Sequence, residues 1–85
     1  MILPTKGISP QRALVTIGAQ CLEVLKLPRS VNSTFEALKQ LRSSRNLREP
    51  ISFDWFSLAL GMLYSLGAVE LSEEGLIVKV FYADN

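Results

Sequence analysis

A chain of 85 residues, 48% of them hydrophobic and 20% charged, can form one small hydrophobic core and is too short for two domains. The net charge is +1 but unevenly placed: residues 1–50 carry eight Lys/Arg against three Asp/Glu, and residues 51–85 carry one against five. A chain this short with so many hydrophobic residues would expose much apolar surface as a free monomer. The composition therefore favours a subunit of a complex.

The sequence offers no catalytic, cofactor or metal site. Histidine, the commonest general base and metal ligand, does not occur, and the carboxylates and the single cysteine lack the spacing of zinc ligands. The five glycines are isolated, so no phosphate-binding loop can be assigned. The opening MILPTKG has no signal-peptide core, and no apolar run approaches the roughly 18 residues of a membrane span. We therefore expect a cytoplasmic protein that is not an enzyme.

The first half of the chain begins with an apolar N-terminal arm, residues 1–8, for which the sequence leaves three alternatives: an edge strand, a segment that docks on a partner, or a frayed terminus. A helix is predicted to follow, with Ser9 as N-cap and Pro10 at its first position. It should end before Pro28, because proline disfavours helical geometry in the residue before it. Cys21 lies on the inward seam of this helix, which predicts a buried and inert thiol.

A stub of strand at residues 29–31 and a second helix are predicted next. Ser33 and Glu36 have the spacing of a capping box, which places the helix start at Ser33. A polar loop covers residues 46–50. The helix carries a narrow apolar seam: Phe35, Leu38 and Leu41.

A third helix and a β-hairpin complete the pattern. Ser52 is placed as the N-cap of the helix, and Gly67 can adopt the left-handed conformation that ends helices. Strands are predicted at residues 68–71 and 76–82, around a turn at 72–75 that contains glycine. The sequence thus predicts one α+β domain over residues 1–85, a winged helix-turn-helix with three helices and a C-terminal wing.

The third helix is apolar around most of its circumference. At 100° per residue its small and polar residues share one narrow stripe, and a helix this apolar is buried on nearly every side. Either it is the central core helix, or part of its surface contacts another chain. Under the second interpretation the protein-interface residues are Phe53, Trp55, Ser57, Leu58, Gly61, Met62, Tyr64, Ser65, Ile77 and Phe81.

Nucleic-acid binding is the usual function of a winged helix. A DNA reader needs Arg, Lys, Asn or Gln on its third helix, but no Lys or Arg occurs between residues 49 and 78. A weaker basic cluster lies on and after the second helix, at Lys39, Arg42, Arg45 and Arg48. It is either a solvated helix face or a site for phosphate contacts without base reading. The alternative function is accordingly a small DNA-binding regulator that dimerises through its apolar helix.

The opening MILPTK and the run FDWFSLALGMLYSLGAVEL resemble the small middle components of bacterial ABC-three-component systems, in particular type six. The most specific matches are Asp54-Trp55-Phe56 and the Leu-Gly-Ala-Val run at residues 66–69. The resemblance extends from Met1 to about Val80. Members of that family often carry histidine where this chain has Gly7.

The resemblance implies a three-gene unit with an SMC/Rad50-like ABC ATPase, a small winged-helix subunit and a third component, acting against phage or plasmids. It implies docking on the ATPase, leaves non-specific DNA contact through the complex open, and transfers no functional residue.

Overall fold

Three helices and a two-stranded antiparallel hairpin follow one another in the computed structural model, which describes residues 9–47 and 49–80. This is the predicted α+β order and is consistent with a winged-helix layout. Within the described ranges no helix combines the length and apolar character needed to cross a membrane. The predicted N-terminal arm lies outside these ranges. The elements are α1 (Pro10–Val24), α2 (Val31–Ser44), α3 (Phe53–Ser65), β1 (Val69–Leu71) and β2 (Ile77–Lys79).

The first and third helices begin at the predicted caps. The Ser9 hydroxyl accepts a hydrogen bond from the backbone N–H of Arg12 at 3.2 Å, and Pro10 occupies the first helical position. The Ser52 hydroxyl accepts from the backbone N–H of Trp55, also at 3.2 Å. Each serine thereby pairs one of the N–H groups that a helix start leaves without an intrahelical acceptor.

The capping box predicted at Ser33 is wrong. Ser30 is the N-cap of α2, and its hydroxyl accepts from the backbone N–H of Ser33 at 3.0 Å. The cause is tertiary: Arg29 forms an antiparallel bridge with Ile77, which leaves Ser30 extended and lets the helix begin at Val31. Of the stub predicted at residues 29–31, only Arg29 pairs with a strand.

The hairpin follows α3 after one left-handed residue, as predicted. Gly67 has φ 75°, a conformation that glycine adopts without a Cβ clash. Both strands are shorter than predicted, with three residues each. Their register pairs Val69 with Lys79 and Leu71 with Ile77.

The core lies between α1 and α3 and is closed by α2 and the hairpin. Gly18 of α1 lets the two helices approach closely, because a Cβ there would lie 2.8 Å from Met62 Cε and 3.3 Å from Leu63 Cδ2. The Phe35 ring of α2 contacts the rings of Phe53 and Phe56 of α3, with centroids 5.2 and 5.0 Å away. The buried apolar residues are Ala13, Ile17, Cys21, Leu25, Leu38, Ile51, Trp55, Phe56, Ala59, Leu63, Val69 and Ile77.

Candidate protein-interaction surface

One side of α3 remains exposed in the folded chain. The predicted stripe of Asp54, Ser57, Gly61 and Ser65 faces outward along its whole length. At 100° per residue the exposed residues from Phe53 to Ser65 cover about 140° of the helix circumference. The chain therefore does not bury α3 on every side, although its sequence is apolar enough for that.

Large apolar side chains border this stripe on both sides. Leu58 lies on one border, and Phe53 and Tyr64 lie on the other. Tyr64 is 62% exposed, and Leu58 and Phe53 are about half exposed. We call the stripe and these three residues the α3 face.

An apolar groove of about 320 Å³ lies between α3 and the hairpin and continues the α3 face. Gly61 forms part of its wall, and a Cβ added there would meet no atom within 4 Å. Unlike Gly18, then, Gly61 is not required by packing within the chain. We call this cavity the α3–hairpin groove; its lining is Val31, Ser57, Leu60, Gly61, Tyr64, Val69, Glu70, Leu71 and Ile77.

Several residues predicted for the interface have other positions. Trp55 and Ile77 are buried in the core, at 5% and 3% exposure, because α3 turns its opposite side inward and β2 is the inner strand. Met62 is partly buried, and its Cε is the atom that a Cβ on Gly18 would strike. Phe81 lies outside the described residues.

Leu71 was missed by the sequence reasoning and is an exposed apolar residue of the groove, at 59%. The sequence does contain a pattern that indicates Leu71. Val69 and Leu71 are two residues apart, so their side chains must lie on the same face of the strand, opposite to that of Glu70. A three-residue strand at the end of a small core buries Val69 and leaves Leu71 beyond the core.

The basic cluster predicted on α2 is not a continuous cationic surface. Arg42 is only 5% exposed; its guanidinium donates to Gln20 Oε1 at 2.9 Å and to the Glu49 carbonyl at 3.3 Å. Burial lowers the pKa of the Arg42 guanidinium, since desolvation disfavours its charged form. Arg42 therefore ties α1 and the loop after α2 together, and almost none of its side chain is accessible to solvent.

The other cations of this cluster are paired where the structure describes them. Arg45 donates two hydrogen bonds to the Glu23 carboxylate, at 2.8 and 2.9 Å, which raise the pKa of Arg45 and lower that of Glu23. Lys39 Nζ lies 2.8 Å from Glu36 Oε2 and 4.7 Å from the centre of the Phe35 ring. Arg48 lies outside the described residues.

Cys21 is buried, as its position on the seam of α1 predicts. Desolvation raises the pKa of its thiol to about 12, which disfavours the thiolate form that reacts with electrophiles and metals. Among residues 9–47 and 49–80, no three His, Cys, Asp or Glu side chains come close enough to hold a metal ion. The candidate functional surface of the described residues is the apolar α3 face and the groove beside it.

Comparison with protein-family models matches residues 3–80 to ABC-three component (ABC-3C) system Middle Component 6, which confirms the family resemblance expected from the sequence. No curated protein and no solved structure matches the chain significantly.

Proposed function

Because the chain belongs to the Middle Component 6 family of ABC-three-component systems, we propose that it is a non-catalytic subunit that docks on the ABC-type ATPase of such a system. The ATPase is of the SMC/Rad50-like class, and the assembled system acts in bacterial defence against phage or plasmids. Docking uses the α3 face and the α3–hairpin groove.

The observation that carries this proposal is the apolar character of the α3 face. Phe53, Leu58 and Tyr64 surround small side chains on an exposed helix, and Leu71 extends the same surface into the groove. Soluble monomers rarely leave large contiguous apolar patches in water, whereas surfaces that bind another protein do. Aromatic residues such as Phe53 and Tyr64 are also typical of the centre of protein interfaces.

The glycine at position 61 gives a separate reason to place the partner on this surface. A glycine inside a helix costs about 1 kcal/mol relative to alanine, and nothing in the fold requires it at this position. Close approach of a partner to the helix backbone gives a reason for the missing side chain.

The charge distribution favours a basic partner surface. Residues 51–85 carry one Lys and five Asp/Glu, and Asp54 lies within the α3 face itself. Carboxylates within and beside an apolar surface favour a partner of opposite charge and disfavour phosphate backbones. DNA reading by α3 is disfavoured for the same reason.

The test is co-expression of this chain with the other two components of its system, followed by size-exclusion chromatography with mass measurement. We expect co-elution with the ATPase in a complex that survives 0.5 M salt, because apolar contacts are not screened. A chain that elutes apart from both components would refute the proposal. Fluorescence anisotropy with duplex DNA tests the alternative: a DNA regulator would bind the duplex with an affinity that falls steeply with salt.

A further inference from the structure

The hydrogen bonds of the hairpin show which backbone N–H and C=O groups of β1 point toward β2 and which point away from it. The Ser72 N–H donates to the Leu76 carbonyl at 2.8 Å, and the Val80 N–H donates to the Ala68 carbonyl at 2.9 Å. Antiparallel ladders alternate between hydrogen-bonded and non-hydrogen-bonded pairs. Glu70 therefore directs its N–H and C=O toward β2, whereas Val69 and Leu71 direct theirs away from it.

The two sides of the sheet have different neighbours. On the β2 side, Ile77 exchanges two backbone hydrogen bonds with Arg29, so that this side is partly covered. On the β1 side, the described part of the chain supplies no further strand. Within residues 9–47 and 49–80 the outward N–H and C=O groups of Val69 and Leu71 thus form an open edge beside the α3–hairpin groove. Such an edge is a template for another extended backbone.

We propose that an extended segment of the docking partner adds to this edge as a new strand, with a Lys or Arg opposite Glu70 and an apolar residue on each side of it. The proposal rests on the docking role proposed above and names the partner's recognition element. The backbone of the segment pairs with Val69 and Leu71.

The alternation of side chains along a strand specifies this apolar–basic–apolar pattern. Val69 and Leu71 direct their side chains toward the groove, as does Ile77, which pairs with Leu71. Glu70 also borders the groove, but it alternates with Val69 and Leu71 along the strand, so its side chain projects from the opposite face of the sheet. A partner residue opposite Glu70 projects to that same face, where a cation complements the carboxylate. Its two neighbours project into the groove, where they contact Leu71 and Tyr64. The other charged residues of the hairpin favour a cation as well, since Glu73, Glu74 and Lys79 together carry a net charge of −1.

A second copy of this chain is a poor occupant of the edge. When two β1 strands are related by a two-fold axis, the register that pairs every outward residue of both copies joins Val69 of one to Leu71 of the other. The axis would then pass beside Glu70 and place the two carboxylates directly opposite each other. Like charges in that position are destabilising. The edge therefore selects a foreign strand.

The test uses a matched pair of charge reversals in the co-expressed complex. Glu70→Lys and Glu74→Lys change the net charge equally, but Glu74 lies in the turn and not on the edge. We expect Glu70→Lys to weaken binding of the partner component about tenfold, and Glu74→Lys to change it less than about twofold. Circular dichroism of both isolated variants checks that the hairpin change leaves the fold intact.

A second measurement reports on the backbone itself. The amides of Val69 and Leu71 should exchange with deuterium at least about tenfold more slowly in the complex than in the free chain, while the Gly75 amide in the turn keeps its rate. Equal effects of the two charge reversals together with unprotected edge amides would overturn the strand proposal and leave docking standing. Failure of the wild-type chain to co-elute with any component would overturn docking and the strand proposal together.

Discussion

Replacing Gly61 by leucine should separate the stability of this chain from its assembly. Gly61 lies in the interior of α3, and a Cβ at this position would meet no atom within 4 Å. The Cβ of the new side chain therefore meets no steric obstacle, the groove offers space for its remaining carbon atoms, and the helix gains propensity. Leucine is about 0.5–1 kcal/mol more favourable than glycine in a helix interior. For a domain of this size that gain corresponds to a rise of about 4 °C in the unfolding midpoint.

The same leucine occupies the wall of the α3–hairpin groove. Its four added carbon atoms project into a cavity of about 320 Å³, where the docking partner is proposed to lie. Overpacking a close-fitting contact costs about 1–3 kcal/mol, which corresponds to a loss of affinity of about 5- to 150-fold. We expect the variant to be more stable alone and weaker in the complex.

The assay combines thermal unfolding of the isolated chain with titration calorimetry against the partner component. Gly18→Leu is the matched control, because its Cβ alone would lie 2.8 Å from Met62 Cε and 3.3 Å from Leu63 Cδ2, and three further carbon atoms would have to enter the same part of the core. That variant should lose stability, with the folded fraction binding normally. A Gly61→Leu chain that unfolds at a lower temperature would show that the position is packed within the chain, and one that binds as tightly as wild type would show that no partner packs against it.

Three further predictions concern the fold. Arg42→Ala should lower the free energy of unfolding by about 2–3 kcal/mol in urea titrations, since it removes buried hydrogen bonds and packing, whereas Arg45→Ala should leave the midpoint nearly unchanged. Ser30→Ala should cost about 1 kcal/mol by loss of the α2 cap, and Asn32→Ala much less. Burial raises the pKa of the Cys21 thiol from 9.0 to about 12, so between these two values the thiol ionises mainly in the unfolded chain. The free energy of unfolding should therefore be unaffected by this thiol below pH 9 and should fall between pH 9 and 12. At pH 11 the loss should reach about 2–3 kcal/mol and be absent from Cys21→Ala, which denaturant titration at each pH will measure.

Local signals explain why the order of elements was predictable. Ser9-Pro10, Ser52 and Gly67 act through hydrogen bonds and backbone conformations that lie within a few residues of each other. The start of α2 was missed because two serines compete for the cap. The bridge between Arg29 and Ile77, which spans 48 positions of the chain, selects Ser30.

The candidate site was predictable only in part for a related reason. The outward stripe of α3 follows from helical periodicity, and it is exposed as predicted. Periodicity cannot report whether a long side chain finds a buried acceptor on another helix. Arg42 was therefore predicted to be a surface cation, whereas its side chain is buried and donates a hydrogen bond to Gln20 of α1. Leu71 similarly depends on where the core ends, which is a property of the assembled fold.

Site-specific photo-crosslinking tests the docking claim most directly. A benzophenone amino acid is placed at Tyr64, which is 62% exposed on the α3 face, and in a parallel preparation at Val15, which is 60% exposed on α1 and outside the groove. Irradiation of the co-expressed system should link position 64 to the ATPase component and leave position 15 unlinked. Crosslinks to the ATPase from position 15 alone, or from position 64 only to a second copy of this chain, would rule out docking of the α3 face on the ATPase.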